Sequence, residues 1–137
     1  MKQDKFDWKE YFNLANSINK NGSEAELRNG VSKFYNAAFC LSRNYLLENK
    51  LFLDKTSKKR MISDDSKVHS ETINIFKNHK KLNYSQKGKK ISNKLNYLRR
   101  YRNHVDYDDV LIWNPQQLYN DSKILSESII NLLDELN

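Results

Sequence analysis

The chain has 137 residues, 38% hydrophobic and 12% aromatic, with 24 Lys and Arg against 17 Asp and Glu for a net charge of +7. This length and apolar content fit a single domain, expected over residues 1–137, and no run nears the ~18 apolar residues of a membrane span. One cysteine (Cys40) excludes an internal disulfide, and 3 glycines with 1 proline argue against a turn-rich β-sandwich or a Gly-rich phosphate loop.

The apolar residues recur at helical spacing almost throughout. A first helix is expected from about Asp7 to Ile18, with Trp8, Tyr11, Phe12, Ala15 and Ile18 on one face. Asn21-Gly22 would end it, Gly22 supplying a left-handed residue. A second helix starts at Ser23, where Glu26 three residues on completes a capping box. Leu27, Val31, Phe34, Ala38, Leu41 and Tyr45 form its stripe, and Tyr35, Phe39 and Leu46 widen it. So broad an apolar face predicts a central helix, with Cys40 as a small core residue.

Residues 50–66 read as a connection whose Lys58-Lys59-Arg60 cluster is solvated and mobile. A third helix is expected from about Ser66 to His79, followed by a polar link from Tyr84 to Lys90 that contains Gly88. A fourth runs from about Lys89 to Val105 on Ile91, Leu95, Leu98 and Val105. Asn114-Pro115 reads as an N-cap followed by proline at the first helical position. The fifth helix then extends to about Leu136, burying Leu118, Leu125, Ile129, Leu132 and Leu136. No basic region followed by an apolar stretch suggests a secretory signal, so a cytoplasmic helical bundle is expected.

The charge is uneven. Residues 50–102 hold 16 Lys and Arg against 4 Asp and Glu, whereas residues 103–137 hold 1 against 7. A basic surface of this kind attracts phosphate backbones and releases their counterions. Lys89, Lys90 and Arg100 are the expected binding residues within it. The stretch Leu95–Asp109 concentrates Arg99, Arg100, Arg102, Asn103, His104, Asp106, Tyr107, Asp108 and Asp109 around an apolar stripe. At about 100° per residue Arg102 falls inside that stripe, Asp106 one turn later on the same face, and Arg99 at its border. A guanidinium aimed inward needs a partner. Either Arg102 and Asp106 form a structural pair, or the face lines a cleft or a dimer interface where Arg and His meet RNA. His69 and His79 lack the neighbours of a metal-ligand set, and no metal or cofactor is expected.

Helix two and the Leu95–Asp109 stretch together resemble small HEPN-domain proteins. Arg28, Tyr35, Ala37, Ala38 and Phe39 match the family's second-helix pattern, with Lys33 where a second Arg is usual. Val68-His69 matches before a basic helix, and Leu95, Leu98, Arg99, Arg102, Asp106, Tyr107 and Asp108 match its L-x-x-L-R-x-x-R-x-x-A-D-Y-D run, with Val105 for Ala. The resemblance covers roughly residues 8 to 135. It implies an all-α, up-and-down bundle of four to five helices that forms a homodimer through its fourth helix. It also implies a metal-independent endoribonuclease toxin or phage-defence effector, in which Arg, four to six residues, then His is the signature. Arg99 and His104 satisfy that spacing, with Arg102 and Asn103 beside them. There, His would move a proton at the ribose 2′-hydroxyl or the leaving oxygen, and Arg would hold the phosphate. Two features depart from the pattern: Asn103 follows Arg102 rather than Arg99, and His104 lies opposite the apolar stripe unless the helix ends near Asn103. The alternative is an inactive HEPN module that dimerises and binds RNA or a nucleotidyltransferase-type partner or antitoxin, with Tyr107 as the modification candidate.

Overall fold

The computed structural model describes residues 5–63 and 66–136. Among the described residues, six α-helices and one short 3-10 turn make up the bundle: α1 Lys9–Asn16, α2 Glu24–Glu48, α3 Lys55–Met61, α4 Lys67–Asn78, the turn Lys80–Leu82, α5 Lys87–Tyr107 and α6 Pro115–Glu135. The all-α expectation holds, but there are more than four or five helices. No described helix is long and apolar enough to cross a membrane.

Helix α2 is central, packing on α1, α4, α5 and α6. Its start follows from its sequence: the Ser23 side chain accepts from the Glu26 backbone N–H, and the Glu26 carboxylate accepts from the Ser23 N–H. Leu27, Val31 and Phe34 pack with Ala15, Val105, Leu118 and Tyr119 in one core cluster. Tyr35, Ala38, Phe39 and Leu46 pack with Ile73, Phe76, Ile91, Leu95, Leu98 and Ile129 in a second. Cys40 is buried, as expected of a core residue. Asn114 caps α6 by accepting from the N–H groups of Gln116 and Gln117.

Three local expectations change. Residues 50–66 include a helix, α3, because Asp54 accepts from the Ser57 N–H and the helix buries its own Ser57 and Met61. Lys58 and Lys59 are exposed on that helix, while Arg60 pairs at 3.2 Å with the buried Glu71. Residues 64 and 65 of the same stretch lie outside the described residues. Gly22 has no positive φ; the left-handed residues are Lys50 and Gln86. Gly88 lies inside α5 rather than in a link.

The topology is not simply up and down. Tyr35 meets His69 and Tyr45 meets Phe76, so α2 and α4 run in the same direction, with α3 in the return crossing. Helix α5 runs opposite to both, since Arg28 and Ser32 near the start of α2 meet Val105 and Asp106 near the end of α5. This brings the middle of α2, the start of α4 and the second half of α5 around one opening, where the candidate site lies.

Candidate nucleic-acid site

A cleft of about 700 Å³ opens between α1, α2, α4 and α5. Helix α2 contributes Lys33, Asn36, Phe39, Cys40 and Arg43, and α5 contributes Arg99, Arg102, Asn103 and Tyr107. Trp8 and Tyr11 form one rim, and Val68 and His69 at the start of α4 form the other. The described lining therefore carries four permanent cations and no carboxylate.

Each cation rests on an aromatic ring or stands open. Lys33 Nζ lies 4.7 Å from the Tyr11 ring centre, and the Arg43 guanidinium lies 5.8 Å from that of Trp8. The Arg102 guanidinium lies 4.9 Å from the centre of the Tyr35 ring, and its buried Nε has no hydrogen-bond acceptor among the described residues. Arg99 lines both this cleft and a neighbouring groove along α5, and so does Asn103.

The expected Arg102–Asp106 pair does not form. Arg102 turns onto Tyr35, and Asp106 is exposed and accepts from the Ser32 hydroxyl at 3.4 Å. Nor does the structure bring His104 to Arg99. The His104 Nδ1 lies 2.5 Å from the Asp108 carboxylate, and its ring sits edge-on to Trp113 at 4.8 Å. The helix continues regularly past Asn103 to Tyr107, so His104 stays on the side away from the cleft. Arg28 also finds a structural role. Its guanidinium donates to the carbonyls of Val105 and Asp108, at 3.0 and 2.6 Å, and so caps the end of α5.

The histidine in the cleft is His69. Its ring stacks on Phe39 with centres 4.0 Å apart and planes 13° apart. Its Nδ1 lies 2.8 Å from the hydroxyl of the buried Tyr35. The opposite nitrogen, Nε2, has no protein partner among the described residues. Burial, reinforced by the charges of Arg102, Arg99 and Arg43, lowers the imidazole pKa from 6.5 to about 4. Burial also pushes the Tyr35 hydroxyl well above its ordinary value, so it keeps its proton. The Cys40 thiol is likewise pushed up by burial against the opposing pull of Arg43, which leaves it mostly unionised.

The lowered His69 pKa makes stability depend on pH. Unfolded His69 takes up a proton below about 6.5, and the folded form only near 4. Between these values the unfolded state binds more protons, so stability rises with pH. The contribution is full above pH 6.5 and lost as pH falls through 4. The ring is partly solvated, so after screening the expected loss is about 1 kcal/mol. Urea unfolding at both ends of this window, in wild type beside His69→Phe, checks it; an equal loss in both proteins would count against it.

Sequence spacing could not show that His69 belongs with Arg99 and Arg102. Its signals were the Val68-His69 match and the aromatic pair Tyr35 and Phe39, four residues apart on α2. Among the described residues, no group of three or more His, Cys, Asp or Glu stands together as a metal site. Comparison with protein-family models, curated proteins and solved structures found no match.

Proposed function

We propose that the cleft binds the backbone of single-stranded RNA and that the protein acts on that RNA as a metal-independent endoribonuclease. The carrying observation is the convergence of Lys33, Arg43, Arg99 and Arg102 on one cleft with no carboxylate in its described lining, beside a buried Arg102 Nε that lacks an acceptor. Cations held this way call for an anion, and phosphodiester oxygens can accept two parallel bonds from a guanidinium.

A polymer fits better than a small anion. From Lys87 to Val105 helix α5 contains no Asp or Glu. Lys89, Asn93, Asn96, Arg100 and Asn103 are exposed along one stripe of it, about 20 Å long at the helical rise. Asn103 and Arg99 join that stripe to the cleft. Lys90 flanks the stripe a quarter-turn away. Tyr97 lies beside it with the Arg100 guanidinium 4.9 Å from its ring centre, and Tyr107, at the cleft, is 76% exposed. Exposed rings next to cations are the means by which unpaired bases are held. The HEPN resemblance supports RNA over DNA, cleavage over simple binding, a toxin or defence role, and a homodimer.

Fluorescence anisotropy with a labelled oligoribonucleotide at rising salt tests the binding. Four phosphate contacts predict that log K falls with log salt at a slope of about −3 for a single strand. Affinity unchanged by salt, or equal affinity for a duplex, would refute it. Incubation of the same RNA in EDTA tests cleavage. A second reading, a module that binds without cutting, is favoured by the tie of His104 to Asp108 away from Arg99. Intact RNA beside retained binding would select it. Sedimentation velocity then shows whether two copies pair, or whether a separate partner protein should be sought.

A further inference from the structure

We propose that His69 is the catalytic residue that takes the 2′-hydroxyl proton in this cleft, and that Tyr35 is its positioning residue. The inference rests on the RNA reading above. Of the three histidines, only His69 reaches the cleft. His104 is tied to Asp108, and His79, at the far end of α4, accepts from the Lys81 N–H. His69 is also held in place from two sides. Phe39 holds one face of its ring, and the Tyr35 hydroxyl fixes Nδ1. That leaves Nε2 as the nitrogen without a protein partner among the described residues.

In the reactive tautomer, Nδ1–H donates to the Tyr35 hydroxyl oxygen and Nε2 carries the lone pair. The Tyr35 hydroxyl can donate or accept, so it fixes the ring orientation and accommodates this tautomer. Arg99 and Arg102 line the same cleft and would hold the non-bridging oxygens of the scissile phosphate as charge builds on them. Nε2 accepts the 2′-hydroxyl proton and O2′ bonds to phosphorus. The bond from phosphorus to O5′ breaks, and O5′ takes a proton from water. The products are a 2′,3′-cyclic phosphate and a 5′-hydroxyl, and His69 returns its proton to solvent.

The groups facing the ring explain when it becomes an effective base. They are Tyr35, Cys40 and Arg43 on α2, and Arg99 and Arg102 on α5. In the free protein the three guanidinium charges and burial favour the neutral imidazole. A phosphate between Arg99 and Arg102 offsets part of that positive field, so RNA binding raises the basicity of His69 toward neutral pH.

The test uses the full chain and a labelled oligoribonucleotide, with Kd, kcat and product ends all measured. His69→Gln is expected to lower kcat about 10²- to 10⁴-fold while Kd stays within a few-fold of wild type. Tyr35→Phe keeps the ring under Arg102 and removes the hydroxyl. It is expected to lower kcat less and to shift the acid limb of the kcat profile, which a purely structural role would not do. Cleavage by His69→Gln at the wild-type rate, or a wild-type kcat without an acid limb, overturns the assignment to His69 and leaves the RNA reading standing. RNA bound but left uncut by wild type overturns the assignment and the cleavage reading with it, and leaves only the binding. No RNA bound by wild type overturns both. If His69→Gln does not fold, Tyr35→Phe and the wild-type pH profile decide.

Discussion

Replacing Arg102 with alanine is expected to weaken single-stranded RNA binding about 10- to 100-fold, the size of losing one well-formed guanidinium–phosphate contact. Three observations place the effect there rather than on the other cations. Arg102 lies in the cleft, its guanidinium rests over the Tyr35 ring, and its buried Nε lacks an acceptor among the described residues. Arg102→Lys should recover little, because an ammonium offers neither the planar fork nor the same stacking. Arg100→Ala, on the exposed stripe, should weaken binding only a few-fold and act mainly through the salt slope. Folding should be little affected by Arg102→Ala, since the loss of the ring contact is offset by removal of an unpaired buried N–H. Anisotropy titrations of the three variants check the order. An unchanged Kd for Arg102→Ala beside a large loss for Arg100→Ala would move the binding site from the cleft to the outer face of α5.

The elements that could be read from sequence were those whose signals are local. The capping box at Ser23 and Glu26, the broad stripe of α2 and the Asn114-Pro115 start of α6 each depend on residues a few positions apart. Helix α3 escaped because its stretch is rich in Lys and Arg and its two anchors, Ser57 and Met61, meet the core only once α4 is in place. The shared direction of α2 and α4 followed from that crossing helix and had no sequence mark of its own. At the site, helical periodicity correctly put Arg102 on the inward face, but the partner was wrong. One turn of helix brings Asp106 near in projection, whereas the Tyr35 ring on α2 takes the guanidinium and Ser32 takes Asp106. Motif spacing selected His104 because it counts along one helix. The cleft is assembled from separate helices, with His69 on α4, Tyr35 on α2 and Arg99 and Arg102 on α5, and His69 reaches Tyr35 from 34 residues away.

Gly88→Ala is expected to destabilise the fold by about 3 kcal/mol, the upper part of the range for inserting a methyl group into a filled contact. The sign is informative, because helix propensity alone would favour alanine by about 1 kcal/mol in a helix. A Cβ at Gly88 would stand 2.4 Å from the Phe76 backbone oxygen and 2.7 Å from Asn83 Oδ1. The first is backbone, and the second belongs to a side chain that cannot swing away freely. Asn83 joins two helix ends: its Nδ2 donates to the carbonyls of Phe76 and His79, both at 3.0 Å, and its Oδ1 accepts from the Lys89 N–H at 2.8 Å. It thus caps the start of α5, where Gln86 has a left-handed backbone and makes no side-chain cap. The added methyl would push α4 away from α5 and break these bonds together, so Gly88→Ala and Asn83→Ala should be strongly non-additive. Urea unfolding of the two single variants and the double variant measures the coupling. A more stable Gly88→Ala protein would mean that α4 and α5 do not approach this closely. In that case the shared geometry that places His69 on α4 opposite Arg102 on α5 would fail with it.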